Sequence, residues 1–156
     1  MDEKQKQALV TALRLLAATP KSRKTLQKKL EERGFPREVV ENTLNHLEEQ
    51  RLLNDRALAQ SLFQNFSAHR VSGRRRIAYE LKKRGIQSSL VEELLEAYHP
   101  EEERLKAFEL AKLKQERWQK LDKMKRRKRT YDFLVRRGFD FSLAREVTDE
   151  IDTGNS

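Results

Sequence analysis

Three features of the 156-residue sequence predict an all-α fold built from three tandem three-helix, helix-turn-helix-like units. A basic amphipathic run ends in Arg-Gly-hydrophobic three times, at Arg33-Gly34-Phe35, Arg84-Gly85-Ile86 and Arg137-Gly138-Phe139, with the glycines 51 and 53 residues apart. Leu26 and Leu30 precede Gly34 at the offsets that Ile77 and Leu81 hold before Gly85. Five glycines, three prolines and few β-branched runs leave helix as the natural conformation. A period of this size marks an array of small helical units, each only marginally stable alone, so neighbours are expected to stack.

The first unit is expected over residues 7–53. Leu9, Leu13 and Leu16 form the stripe of a first helix, which Thr19-Pro20 stops because proline disfavours helix at the residue before it. Ser22 can cap a second helix carrying Leu26 and Leu30. Gly34 supplies a C-terminal turn with positive φ, and Pro36 stands where a third helix can begin. That helix turns Val39, Val40, Thr43, Leu44 and Leu47 inward, and Leu52-Leu53 folds back over it.

The second unit, residues 54–99, repeats the plan. Asn54 or Asp55 caps a helix whose apolar face is Leu58, Leu62, Phe63 and Phe66. Val71-Ser72-Gly73 makes the turn, with Ser72 as the next cap, and Leu90, Val91, Leu94, Leu95 and Tyr98 line the last helix. Pro100 opens the third unit, residues 100–151, where Leu134 matches Leu30 and Leu81, and Leu143, Ala144, Val147 and Ile151 match the third-helix core. The register breaks at Thr130, whose volume Tyr131 or Phe133 can supply. No Gly or Pro interrupts 101–137, but analogy with the other units predicts two helices joined near 118–125. The end, 153–156, is expected to fray.

Lysine and arginine number 34 against 25 acids, a formal charge of +9, which favours a polyanionic partner. Arg70, Arg74, Arg75, Arg76, Lys82, Lys83 and Arg84 crowd the second helix of the middle unit and its preceding turn, opposed only by Glu80. Ile77 and Leu81 would face inward, leaving Arg74, Lys82 and other bases in water. A denser run, Lys125, Arg126, Arg127, Lys128 and Arg129, must wrap much of a helix circumference. Trp118, Tyr131 and Phe133 nearby could stack on bases of a single strand. Lys21, Arg23, Lys24, Lys28 and Lys29 repeat the basic signal in the first unit. Planar guanidinium groups suit such a role because each can engage two phosphate oxygens.

Much chemistry is missing. There is no cysteine, and His46, His69 and His99 are too scattered for local metal-ligand spacing. No phosphate-binding glycine loop or dinucleotide fingerprint occurs, so neither a metal nor a cofactor is expected, and the chain reads as a non-enzyme. No signal peptide or membrane span is visible, which makes the cytoplasm the default. The helix-turn-helix plan also raises a second reading, a DNA-binding transcription factor. A recognition helix should then present Arg, Asn or Gln near its start. The helices after the three glycine turns are acidic or mixed, with Arg37 and Gln87 as sparse candidates.

Taken in order, Ala12-Leu13-Arg14-Leu15-Leu16, Ser22-Arg23, Arg33-Gly34-Phe35, Leu52-Leu53-Asn54-Asp55 with Leu58-Ala59, Gly73-Arg74-Arg75-Arg76-Ile77, Glu80-Leu81 and Arg84-Gly85-Ile86 resemble the bacterial RecX family, regulators of the RecA recombinase. The resemblance covers nearly the whole chain. It departs mildly at Leu58, where the family often has an aromatic, and is least regular after residue 100. It implies an elongated, curved array of three-helix units that binds RecA and its nucleoprotein filament, and single- or double-stranded DNA without sequence preference. Restraint of filament growth, ATP turnover and strand exchange follows by the same resemblance, as does a place in DNA repair, recombination and the SOS response. A monomer is expected. Arg74, Arg75, Arg76, Lys82 and Lys83 match the family's basic middle stretch and are the first choice for contact with RecA or DNA.

Overall fold

The computed structural model describes residues 2–154, and among them nine α-helices and no strand. They are α1 (Glu3–Ala18), α2 (Arg23–Glu32), α3 (Arg37–Glu49), α4 (Asp55–Gln64), α5 (Arg74–Lys83), α6 (Ser88–Glu96), α7 (Pro100–Arg117), α8 (Lys123–Arg136) and α9 (Phe141–Gly154). The helix pair expected around 118–125 is therefore α7 and α8, and α8 begins where Asp122 accepts from the Lys125 N–H at 2.9 Å. Of the end expected to fray, Thr153 and Gly154 close α9, while Asn155 and Ser156 lie outside the described residues.

The repeated glycines end α2, α5 and α8 in one way. Gly34, Gly85 and Gly138 have φ of 88°, 84° and 92°. In each turn the residue after glycine donates back five residues to a leucine carbonyl: Phe35 to Leu30, Ile86 to Leu81 and Phe139 to Leu134. These are Schellman closures, which need a left-handed residue after the helix and satisfy carbonyls the helix leaves open.

The described chain gathers into two compact bodies. One comprises the residues up to Leu62 together with Leu81–Val91; the other comprises Phe63–Glu80 and the residues from Glu92 onward. The first has a core of Ala12, Leu26, Leu30, Val40, Leu44, Leu47 and Leu53. Its α1 face is centred on Ala8 and Ala12, flanked by Leu9, Leu15 and Leu16, whereas Leu13 is 40% exposed. The expected leucine stripe is thus rotated: alanines let α1 approach closely, and the leucines close its sides. Leu53 folds inward as expected, but Leu52 stays in water.

The second body has a core of Ala107, Ala111, Leu134, Phe139, Ala144, Val147 and Ile151. Thr130 is fully buried here, with its hydroxyl on the Arg126 carbonyl at 2.8 Å. It therefore holds the position of Leu26 and Ile77 itself, and half-buried Tyr131 and Phe133 fill in around it. A π-helical turn, Asn65–His69, follows α4 and leads to Val71, held at φ 43°. A β-branched residue at positive φ is strained, so this corner is fixed by its surroundings.

Each body contains one joint between successive repeats. In the first, the Arg23 N–H at the start of α2 donates to Asp55 of α4 at 2.8 Å, and the Gly85 turn lies on Ser22 and Thr25. In the second, the Arg74 N–H at the start of α5 donates to Glu103 of α7 at 2.7 Å, and the Gly138 turn lies on Gly73 and Arg76. Backbone bonds tie the second joint further: Gly73 N–H to Arg137 O at 2.9 Å, and Arg75 N–H to Gly138 O at 3.1 Å. A helix leaves its first N–H groups without intrahelical partners. In both joints the following repeat supplies acceptors: a carboxylate from its first helix and, in the second joint, carbonyls from its glycine turn. Ser22 also caps α2 as expected, accepting from Thr25 N–H at 3.1 Å, and Asn54 caps α4, accepting from Ala57 N–H at 3.0 Å. Ser72 does not play this part: its hydroxyl is buried without a partner, because Glu103 has taken the helix start.

Candidate functional site

The basic residues singled out from the sequence divide into structural and surface groups. Arg74 is structural, which corrects its expected place in water. Its Nε meets Glu103 Oε1 at 2.9 Å, its terminal nitrogens reach the Leu95 and Tyr98 carbonyls at 3.4 and 2.8 Å, and its guanidinium lies 5.6 Å from the Tyr98 ring centre. Glu103 is buried, so this charge is spent holding α5, α6 and α7 together. Tyr98 is buried beside it, and burial, with Glu103 and Glu102 nearby, raises its phenol well above the ordinary range.

Arg127 is structural too, paired with Asp149 and, at 2.5 Å, with Asp152 of α9. Arg126 turns towards α7, lining a cavity of about 380 Å³ with Lys112, Gln115, Glu116 and Gln119. The other members of that run face outward. Lys125, Lys128 and Arg129 line a cleft of about 520 Å³ with Trp118, Leu121, Asp132 and Arg136. Arg129 lies 5.7 Å from the Trp118 ring centre, and Lys128 pairs with Asp132 at 3.0 Å. Trp118 packs edge-on against Phe133, so it is half core and half surface. The run does wrap its helix, with one side towards α7, one on α9 and one facing solvent.

Arg70, Arg75, Arg76, Lys82 and Lys83 complete the middle stretch. Lys82 and Lys83 are exposed at the end of α5. Arg70, Arg75 and Arg76 surround the second joint, where they meet two residues the sequence reading did not select, Arg137 and Phe141. Arg137 donates to the Arg70 carbonyl and lies 5.6 Å from the Phe133 ring centre. Arg75 lies 4.7 Å from the ring centre of Phe141, which is 53% exposed. Arg76 has only a long pairing with Glu80, 3.8 Å. Burial, then Arg76 and Arg70 close by, lower the pKa of Arg137: positive groups here are held together against their repulsion. The sequence signal for Arg137 was present in the thrice-repeated Arg-Gly, but it read as turn chemistry.

The first joint carries its cations beside acids. Its groove of about 660 Å³ is lined by Arg23, Lys24 and Lys82 but also by Glu48 and Asp55. Arg23 is neutralised by Glu41 and Glu48. Among the described residues no helix is long and apolar enough to cross a membrane, and no three His, Asp or Glu side chains gather as a metal site requires.

Comparison with known proteins accounts for the repeats. Family models for the first, second and third three-helix domains of RecX match residues 8–47, 54–95 and 101–148. The chain is 34% identical over 150 residues to Regulatory protein RecX of Chlorobium phaeobacteroides (strain BS1), covering 96% of this chain and 97% of that one. It is 33% identical over 141 residues to Regulatory protein RecX of Streptomyces coelicolor, covering 90% and 75%. The crystal structure of RecX from Lactobacillus salivarius has the same fold, with a TM-score of 0.85 over 98% of this chain and 99% of that one at 21% identity. Three domains matched in order and relatives aligned along almost the whole chain make this protein a member of the RecX family of regulatory proteins.

Proposed function

We propose that this protein regulates the RecA recombinase, mostly by inhibition, binding RecA and its filament on single-stranded DNA and slowing filament growth, ATP hydrolysis and strand exchange. The observation that carries this reading is the ordered match to all three domains of a family whose members are named regulatory proteins. The surface agrees with it. Outward cations on α5, α8 and their turns suit a nucleoprotein polymer, whose phosphates and acidic protein faces attract the same groups. The protein acts in the cytoplasm by binding, without catalysis of its own. With Arg74 and Arg127 committed internally and Arg126 turned towards α7, the contact set narrows to Arg70, Arg75, Arg76, Lys82, Lys83, Lys125, Lys128 and Arg129.

The test is recombinase ATP hydrolysis and strand exchange on single-stranded DNA, with and without this protein. Both rates should fall as it is added, and unchanged rates at several-fold excess would refute the reading. Starts of α3, α6 and α9 rich in base-reading side chains would have favoured a transcription factor. They open instead with Arg37-Glu38, Ser88-Ser89 and Phe141-Ser142.

A further inference from the structure

We propose that the second joint is a phosphate seat for one polynucleotide strand, with the guanidinium groups of Arg70, Arg76 and Arg137 on the phosphodiester and Phe141, backed by Arg75, stacked on an adjacent base. This rests on the reading that the protein works on DNA-bound filaments, and it adds a specific site and a specific ligand.

The site exists only because two repeats dock. Arg70, Arg75 and Arg76 come from the approach to α5 and its first turn, whereas Arg137 and Phe141 flank the turn between α8 and α9. Gly73 and Gly138 let these backbones touch: a Cβ on Gly138 would stand 2.3 Å from the Arg76 Cβ, and one on Gly73 would stand 2.5 Å from the Gly138 carbonyl carbon. Their contact brings Arg137 against Arg70 and sets Arg76 beside the turn.

Four guanidinium groups gather there, and the nearest acids along the chain are Glu80 and Asp140. Glu80 meets Arg76 only at 3.8 Å. Asp140 is occupied in starting α9, accepting from Phe141 N–H at 2.9 Å and Ser142 Oγ at 3.1 Å. The local excess of positive charge is a cost that a phosphate would offset, since its oxygens accept paired donors from more than one guanidinium. The exposed ring chooses between polyanions. An acidic peptide would use the charges and leave Phe141 idle, whereas a strand offers a phosphate and a flat base within one nucleotide step. The first joint, with Glu48 and Asp55 in its groove, has no such excess.

The experiment measures binding of a fluorescent oligothymidylate to the full chain alone, across a salt series. Arg75→Gln, Arg76→Gln, Arg137→Gln and Phe141→Ala are compared with Arg33→Gln, the counterpart of Arg137 at the first glycine turn, where no other backbone approaches the glycine. Each arginine change at the second joint should weaken binding roughly tenfold at low salt. Arg76→Gln and Arg137→Gln should also flatten the slope of log K against log salt by about 0.7 per lost contact. Phe141→Ala should weaken binding while leaving that slope unchanged, and Arg33→Gln should change neither. Arg137 also bonds the Arg70 carbonyl, so circular dichroism accompanies each variant. If Arg137→Gln misfolds, Arg75→Gln and Phe141→Ala decide the matter.

Wild-type slope and affinity in the second-joint variants would overturn the proposal. So would failure of the wild type to bind the strand, or preferential binding of polyglutamate through the same arginines. None of these results touches recombinase inhibition, which is measured separately, so failure of the seat is distinguishable from failure of the reading on which it rests.

Discussion

At the residue scale, the most instructive side chain is Glu103. It is an acid in the first turn of a helix, where the dipole alone would justify it, yet it is buried and serves another helix. One oxygen closes the Arg74 N–H and the other takes the Arg74 guanidinium. Glu103→Gln keeps the shape and removes the charge. With Arg74 one-third exposed and thus partly screened, about 1–3 kcal/mol of stability should be lost in urea titration. Tyr98 gives a pH test. Its phenol stays protonated in the fold above the ordinary value of about 10. Its contribution is therefore fully present below pH ~10 and declines as the unfolded chain ionises above it. Stability should fall between about pH 10 and 11.5 in the wild type, and by less in Tyr98→Phe, in paired denaturation curves.

At the element scale, three helices end alike and meet different surroundings. Gly34 and Gly138 share positive φ, but an added Cβ at Gly34 meets nothing within 4 Å, whereas at Gly138 it strikes the backbone of Arg76. Gly34→Ala should therefore cost only the strain of a left-handed alanine, about 1 kcal/mol. Gly138→Ala should cost that plus about 1–3 kcal/mol of overlap, and Gly73→Ala the overlap alone. The differences among the three melting curves isolate the joint from the turn. The starts of the second helices follow a matching logic. α2 and α5 receive a carboxylate from the next repeat. α8 has no further repeat to draw on within the described residues, begins one turn earlier relative to its core, and is capped by its own Asp122.

At the scale of the whole molecule, stacking shares the second repeat between the two bodies. The division between the two bodies runs through the second repeat, because Leu81–Val91 joins the first body and Phe63–Glu80 the second. A nearest-neighbour array behaves this way, since each interface stabilises both partners. The double change Arg75→Glu and Lys82→Glu on α5 should keep helical content while weakening filament binding. The loss should shrink as salt rises, because exposed charges act through a screened field. Binding unchanged at physiological salt would remove α5 from the interface.

The sequence by itself determined the helices, their order, the glycine closures and most of the core. Leu26, Leu30, Leu44, Leu47, Ile77, Leu81 and Leu134 are all buried where their spacing put them. These features are local: a period of 3.6, a cap, and a left-handed glycine each follow from neighbours within a few residues. Only the tertiary structure decided which cations are available. Arg74 and Arg75 are adjacent and chemically identical, yet one lies on a buried glutamate and the other over an exposed ring. Arg137 joined the candidate site through Arg70, 67 residues away, and Arg127 left the contact set through partners that include Asp152, 25 residues away. A charge's role depends on what folding brings beside it, and that long-range pairing has no signature in the order of residues along the chain.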